Sequence, residues 1–271
     1  MLSVNTNVGA MAALQSLMAT QMELNQVQSR ITTGLEVAGP KDDGATYAIA
    51  QNMRAEIAGL NAVRGSLSHG VSVVDVGIAA GQAISDLLIE MKEKTVAARD
   101  ASLDTSSRTA LDADFAALRD QITTIVSNAE FDGMNLLTGT NNLAALANDE
   151  GALITVLAQN MTVSNGLGLT ASMDLSSIAA TSVALAAVNA AIENVNSKLA
   201  TLGTDAKSLE IHDGFVGKLQ DALTAGVGNL VDADLAKESA RLQSLQIKEQ
   251  LGVQALSIAN QQPQTILSLF R

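Results

Sequence analysis

Few residues in this chain are of a type and spacing that could do chemistry. His69 and His212 are its two imidazoles, and they lie far apart. His212-Asp213 has the makings of half a metal dyad, but no second pair supplies the rest of a tetrahedral set. Asp42 and Asp43, just after Pro40, form the carboxylate pair that acid–base chemistry uses. Two charges at the start of a helix are also favoured by its dipole, and that role suits them better. Gly166-Leu167-Gly168 lacks the third glycine and the strand–helix setting of a nucleotide loop. Glu90, Lys92, Glu93 and Lys94 read as a solvated helix face. Cysteine is absent, which removes thiolate nucleophiles, disulfides and cysteine-ligated zinc. No catalytic residue, cofactor site or metal site is expected, and the chain is not read as an enzyme.

The elements that would position such groups point elsewhere. Hydrophobic residues make up 47% of the chain but aromatics only 2%, so the apolar content is Ala, Leu, Val and Ile. At helical spacing those residues favour long helices packed side by side over a core built around a pocket. With two prolines in 271 residues, little interrupts them. A net charge of −12 argues against nucleic-acid binding, which needs a basic stripe, and against attraction to anionic lipid. No cleavable signal peptide is read in MLSVNTNVGA, which has no basic region and no apolar run. Residues 175–192 carry no charge but are rich in Ala, Ser and Thr, and are read as too weakly apolar to cross a membrane. Membrane insertion is not expected.

Helical periodicity runs through most of the chain. One stripe follows Val4, Val8, Met11, Leu14, Met18, Met22, Val27, Ile31 and Leu35. A second follows Ile49, Met53, Ile57, Leu60, Leu67, Val71, Val74 and Ile78. Leu111, Phe115, Leu118, Ile122 and Ile125, and then Leu185, Val188, Ile192, Val195, Leu199 and Leu202, alternate steps of three and four, the seam of a coiled coil or antiparallel bundle. Gly39-Pro40 separates the first two stripes. Residues 104–107 (DTSS) offer an N-cap, and Asp132-Gly133 a turn. Residues 134–172 change character: Leu153, Ile154, Val156, Leu157 and Val163 are β-prone, with NDEG at 148–151 as a turn ahead of them. A small β-hairpin is expected there.

Both ends are almost free of charge. Glu23 is the only charged side chain before Arg30, and Lys248 and Glu249 are the only ones between Arg241 and Arg271. A lone amphipathic helix with Gln, Asn and Ser on its polar face is marginal in water, and its stripe needs a partner. Pairing the two ends within one chain would cover one side of each, and lateral assembly of copies would cover the remainder.

The residues then resemble a known family. SVNTNVGAMAALQSL (3–17) and RITTGLEVAGPKDDGATYAIAQNMRAEIAGLNA (30–62) are similar to the N-terminal signature of bacterial flagellins. EFDGMNLLTG (130–139) resembles the family's helix-to-hairpin junction. The C-terminal stretch 229–271, with Asp232-Ala233-Asp234, Ala259-Asn260-Gln261 and Leu267-Ser268-Leu269, is the strongest match, most like the short flagellins of alphaproteobacteria. Hook–filament junction proteins are the alternative; they share the ends but usually diverge in the C-terminal signature.

The resemblance implies a mainly α fold: long helices in an antiparallel coiled-coil bundle, a small β-hairpin region, and paired N- and C-terminal helices. Residues 1–39 and 232–271 would form the inner filament layer and 40–231 the next, with the hairpin at about 134–172 and no sizeable outer variable domain. The chain would polymerise with copies of itself, alone or mixed with other flagellins, into the extracellular flagellar filament used for motility. The family is exported unfolded by the flagellar type III apparatus, and its partners are the export chaperone, the filament cap and the hook–filament junction proteins. The expected assembly residues are Val4, Val8, Met11, Leu14, Met18, Val27, Ile31 and Leu35 at one end. At the other they are Leu235, Leu242, Leu245, Leu251, Leu256, Ile258, Ile266, Leu267 and Leu269. Gln15, Gln21, Asn25, Gln28, Gln250, Gln254 and Gln261 would suit a channel wall that does not hold a passing chain. In many flagellins the segment matching MKEKTVAARD (91–100) faces a host innate receptor; here it carries Lys92 and Glu93, with Lys94 where the family often has Leu.

Overall fold

The computed structural model describes the backbone of residues 6–269 and the side chains of residues 6–261. Five helices and one hairpin follow in order: α1 (Val8–Thr33), α2 (Gly44–Ala97), α3 (Thr105–Asn128), β1 (Leu143–Leu146), β2 (Leu153–Val156), α4 (Ile178–Val231) and α5 (Leu235–Leu269). The fold is mainly α with one small hairpin, as expected from the sequence. The chain divides into two compact units, Met1–Ala55 with Ala222–Arg271, and Glu56–Asp221.

The Glu56–Asp221 unit is built on heptad seams. On α2 the least exposed positions run Leu60, Val63, Leu67, Gly70, Val74, Gly77, Gly81, Ile84, Leu88 and Met91, in unbroken steps of three and four. Here α2 and α4 run antiparallel, with Arg64 Nε donating to Asp213 at 3.1 Å and the space beside Gly77 taken by Leu202, Leu136 and Leu137. On α3, Phe115, Leu118 and Ile122 are buried, and the seam then passes to Val126 rather than Ile125. On α4 the fully buried positions include Ala184, Val188, Ala191, Val195, Leu202 and Leu209. The sequence pointed to Leu185 and Ile192, which flank this line and are half-buried. Alanines hold the seam there because a small side chain lets the neighbouring elements approach.

β1 and β2 pair antiparallel, Leu143 opposite Val156 and Leu146 opposite Leu153. β1 lies in a stretch, LAAL, with no β-branched residue, so its strand character comes from pairing and from burial of Leu143 and Ala145. Val163, read as β-prone, lies beyond β2.

α2 and α4 each hold a stretch that is long and apolar enough, by length and composition, to cross a membrane. This corrects the sequence expectation for the segment that begins α4. Part of this apolar surface is spent inside the protein, where Val74, Ile84 and Leu88 on α2 and Val188 and Val195 on α4 are fully buried, while Ile178 and Val183 on α4 remain exposed.

Candidate assembly interface

The unit formed by residues 1–55 and 222–271 brings the two chain ends together. α1 and α5 pair antiparallel: Asn7 Nδ2 donates to Ala259 O at 2.7 Å, Leu17 meets Gly252, and Arg30 meets Glu238. The least exposed positions of α1 are Ala10, Ala13, Leu17, Thr20, Leu24, Val27 and Ile31, a strict alternation of three and four. Those of α5 are Glu238, Leu242, Leu245, Glu249, Gly252, Leu256 and Ala259, again without a slip. Leu24, Val27 and Leu245 are the buried centre, with Ile31 and Leu242 packed against them.

Backbone contacts explain the motif residues at the base of this pair. α1 ends at Gly34, whose φ of 72° suits a residue without Cβ, and its N–H returns to Arg30 O at 2.8 Å. Ala233 N–H donates to Gly34 O at 2.9 Å, Glu36 N–H to Val231 O at 2.7 Å, and Leu35 and Asp232 form an antiparallel bridge. Asp234 caps α5 by accepting from Ala236 and Lys237 N–H. Asp42 accepts from the backbone of Ala38 and Gly39, and Asp43 caps α2 through Ala45 and Thr46. The Thr46 hydroxyl and N–H hold the Asp43 carboxyl below the usual carboxylate range. These two carboxylates therefore act as braces of the backbone.

The expected assembly residues separate into two sets. Val27, Ile31, Leu242, Leu245 and Leu256 lie in the α1–α5 seam, and Leu35 is half-buried at its base. Val8, Met11, Leu14 and Met18, with Met22, lie outside the seam and are exposed by 42 to 74%. Leu235, Leu251 and Ile258 are exposed on α5, together with Ile247 and Val253. Val4 and the side chains of Ile266, Leu267 and Leu269 lie outside the described residues. α1 thus carries a second apolar stripe; on α5, Ile247, Leu251 and Ile258 share the face opposite the seam, while Leu235 and Val253 lie beside the seam. On α1, Met18 follows Leu17 of the seam by one residue, about 100° around the helix. An open groove of about 500 Å³ runs along that face, lined by Val8, Met11, Ala12, Leu14, Gln15 and Met18.

Sequence reading missed Ala10, Ala13, Leu17 and Leu24 of α1 and Gly252 and Ala259 of α5. Leu17 and Leu24 carry a hydrophobic signal that the competing Val8–Met22 stripe outweighed, whereas the alanines and Gly252 are identified by spacing alone. Gln15, Gln21, Asn25, Gln28, Gln250, Gln254 and Gln261 are all exposed.

The remaining candidate groups have structural roles in the Glu56–Asp221 unit. Lys92 and Glu93 are exposed on α2, while Lys94 donates to Asp114 at 3.0 Å, which raises its pKa. His69 Nε2 lies 3.3 Å from Asp132 and its ring leans on Phe131. His212 Nε2 lies 2.7 Å from Ala147 O beside the hairpin turn. Among the described residues, no group of three or more His, Cys, Asp or Glu is placed to hold a metal ion.

The chain is similar to known proteins over nearly its whole length. Residues 4–142 match the bacterial flagellin N-terminal helical region, and residues 185–270 the bacterial flagellin C-terminal helical region. The chain is 54% identical to flagellin FljM of Caulobacter vibrioides over 270 residues, covering 99% of this chain and 98% of that protein. It is 35% identical to a flagellin of Brucella melitensis over 283 residues, covering the whole of both. Among solved structures, the fold is similar to a Bacillus cereus flagellin, with a TM-score of 0.50 and 21% identity over 56% of this chain and 88% of that one. It is also similar to a putative flagellar hook-associated protein of Vibrio parahaemolyticus, with a TM-score of 0.57 and 17% identity over 70% of this chain and all of that one. With matching helical regions at both ends and full-length relatives at this identity, the chain belongs to the bacterial flagellin family, the structural subunits of the flagellar filament.

Proposed function

We propose that this flagellin polymerises by burying the outer stripes of α1 and α5 against the same pair in neighbouring copies. The observation that carries this is the second apolar stripe on each helix, exposed after the helices have already paired with each other. Full burial of a Val, Leu or Met side chain contributes about 1.5–3 kcal/mol. Five such side chains on α1, each already partly covered, supply roughly 5–10 kcal/mol per contact. The scarcity of charge at both ends fits this role, since a charged face would oppose close lateral packing.

The inner layer would comprise residues 1–39 and 232–271, with 40–231 outside it. The chain would leave the cell unfolded through the flagellar type III apparatus, handled by an export chaperone, and join the filament beneath its cap and beyond the junction proteins. The exposed Gln and Asn side chains would face the channel. Its role is structural rather than enzymatic. Lys92, Glu93 and Lys94 mark the segment that would face a host receptor, with the Lys94 ammonium already engaged by Asp114.

A seeding experiment tests the central claim. Purified monomer is added to short filament fragments and growth is followed by electron microscopy, beside a Leu14→Lys variant whose helicity is checked by circular dichroism. The native chain should elongate the seeds, and the folded variant should not. Equal growth by both would remove the outer stripe from the contact. Native monomer that caps seeds without growth would indicate a junction adaptor.

A further inference from the structure

We infer that Met11, Met18 and Met22 form an oxidation site that controls assembly: conversion to methionine sulfoxide by a peroxide arrests subunit addition, and reduction restores it. This rests on the outer stripe of α1 being the contact face. Of the nine methionines in the chain, these three are exposed by 66, 57 and 68%, while Met91 and Met161 are fully buried. They share one face of α1 with Val8 and Leu14, and the groove along that face admits small solutes to the Met11 and Met18 thioethers. The exposed stripe of α5, with Ile247, Leu251 and Ile258, has no thioether, so the sensitivity belongs to α1.

The chemistry is a two-electron oxidation. The sulfur lone pair attacks one peroxide oxygen, an S–O bond forms, the O–O bond breaks, and the departing hydroxide takes up the remaining proton to leave as water. The product exchanges an apolar, flexible side chain for one with a strong hydrogen-bond acceptor. In the free subunit that oxygen faces water, and the seam residues Leu24, Val27 and Leu245 are untouched. In the assembled contact the three oxygens would be buried among Val8, Ala12 and Leu14, whose side chains offer no donor; the Gln15 amide in the same groove cannot serve all three, and a buried acceptor without a partner opposes association. The modification is therefore nearly neutral for the monomer and unfavourable for the polymer. Reductases that use thiols remove the oxygen as water and reverse it.

The test treats monomer with hydrogen peroxide, locates sulfoxides by peptide mass spectrometry, and measures seeded elongation before and after treatment with methionine sulfoxide reductase. Met11, Met18 and Met22 should oxidise while Met91 and Met161 do not. Elongation should slow by about tenfold or more and recover on reduction. A Met11→Leu/Met18→Leu/Met22→Leu variant should elongate equally with and without peroxide. Should that variant fail to elongate untreated, the three single Met→Leu variants replace it, each removing part of the peroxide effect. Oxidised native chain that elongates at the untreated rate overturns the proposal, as does a leucine variant that peroxide still arrests. Leu14→Lys separates the two ideas. If it blocks growth while oxidation does not, only the oxidation site is lost; if it grows normally, the contact face itself is wrong.

Discussion

Arg30 and Glu238, 208 positions apart in the chain, meet through Nη1 and Oε1 at 3.2 Å in the α1–α5 seam. The Glu238 side chain is 7% exposed and that of Arg30 is 19% exposed. One hydrogen bond joins them, and Arg30 Nε and Glu238 Oε2 have no other partner. A buried pair of this kind selects register more than it adds stability, because each charge gives up its hydration to enter the seam. Glu238→Ala leaves the guanidinium with no counter-charge and should cost roughly 2–4 kcal/mol. Arg30→Met with Glu238→Leu should restore stability to within about 1 kcal/mol of native. Thermal unfolding and amide exchange in α1 and α5 measure both; unchanged protection in Glu238→Ala would discount the pair.

Leu245 and Ile247 lie two residues apart on opposite sides of α5, one buried in the seam and the other 58% exposed. Leu245→Ala should destabilise the monomer by about 2–4 kcal/mol through the cavity it leaves. Ile247→Ala should change monomer stability by less than about 0.5 kcal/mol and yet slow seeded elongation. Denaturant unfolding and the seeding assay, run on both variants, separate seam from contact face. The same loss of stability in both would deny that α5 has two distinct faces.

Gly166 holds the loop that Lys198 closes. The Lys198 ammonium donates to Asn160 O and, at 3.0 Å, to Gly166 O, and desolvation lowers its pKa. A Cβ at position 166 would fall 2.3 Å from Asn160 O, a backbone atom that no rotamer change can move. Gly166→Ala should therefore cost about 1–3 kcal/mol and show as lost amide protection across 160–167. Full protection in this variant would mean the loop can shift without penalty.

Arg108 is buried at the turn between α2 and α3, where its guanidinium donates to Ala98 O and, at 3.1 Å, to Asp100 O. Arg108→Ala removes the donors from two carbonyls at the end of a helix. It should cost about 1–3 kcal/mol, read by chemical denaturation. Arg108→Lys, with a point charge in place of a planar fork, should recover only part of the loss.

Asp104 caps α3, and hydrogen bonds from the Ser107 hydroxyl and N–H hold its carboxyl below the usual value, as those from Thr46 do for Asp43. A folded-state pKa below the unfolded one means the stabilisation is complete above the ordinary aspartate value near 3.8. It is lost as pH falls through the lower folded value. The melting temperature of native protein should fall on acidification through that window. Asp43→Asn with Asp104→Asn, which keep the capping acceptor without titrating, should show a shallower fall. Parallel curves would place the acid sensitivity in other carboxylates.

The sequence alone determined the helical class, the hairpin, the breaks at Gly39-Pro40 and Asp132-Gly133, and the interactive character of both ends. These depend on local rules: three-four spacing, turn chemistry and the scarcity of charge are all read along the chain. Only the tertiary structure decided which of two apolar stripes on α1 meets α5. Val8, Met11 and Met18 are stronger hydrophobic signals than Ala10, Ala13 and Thr20, yet the latter lie in the seam, alongside Leu17, Leu24, Val27 and Ile31. Small side chains let two helices approach closely, and that benefit exists only when the partner is present. Alanine at 184 and 191 on α4, and glycine at 70 and 77 on α2, hold the seams of the other unit for the same reason. The large aliphatic and thioether side chains displaced from the terminal seam remain on the outside, where a further copy of the chain can cover them.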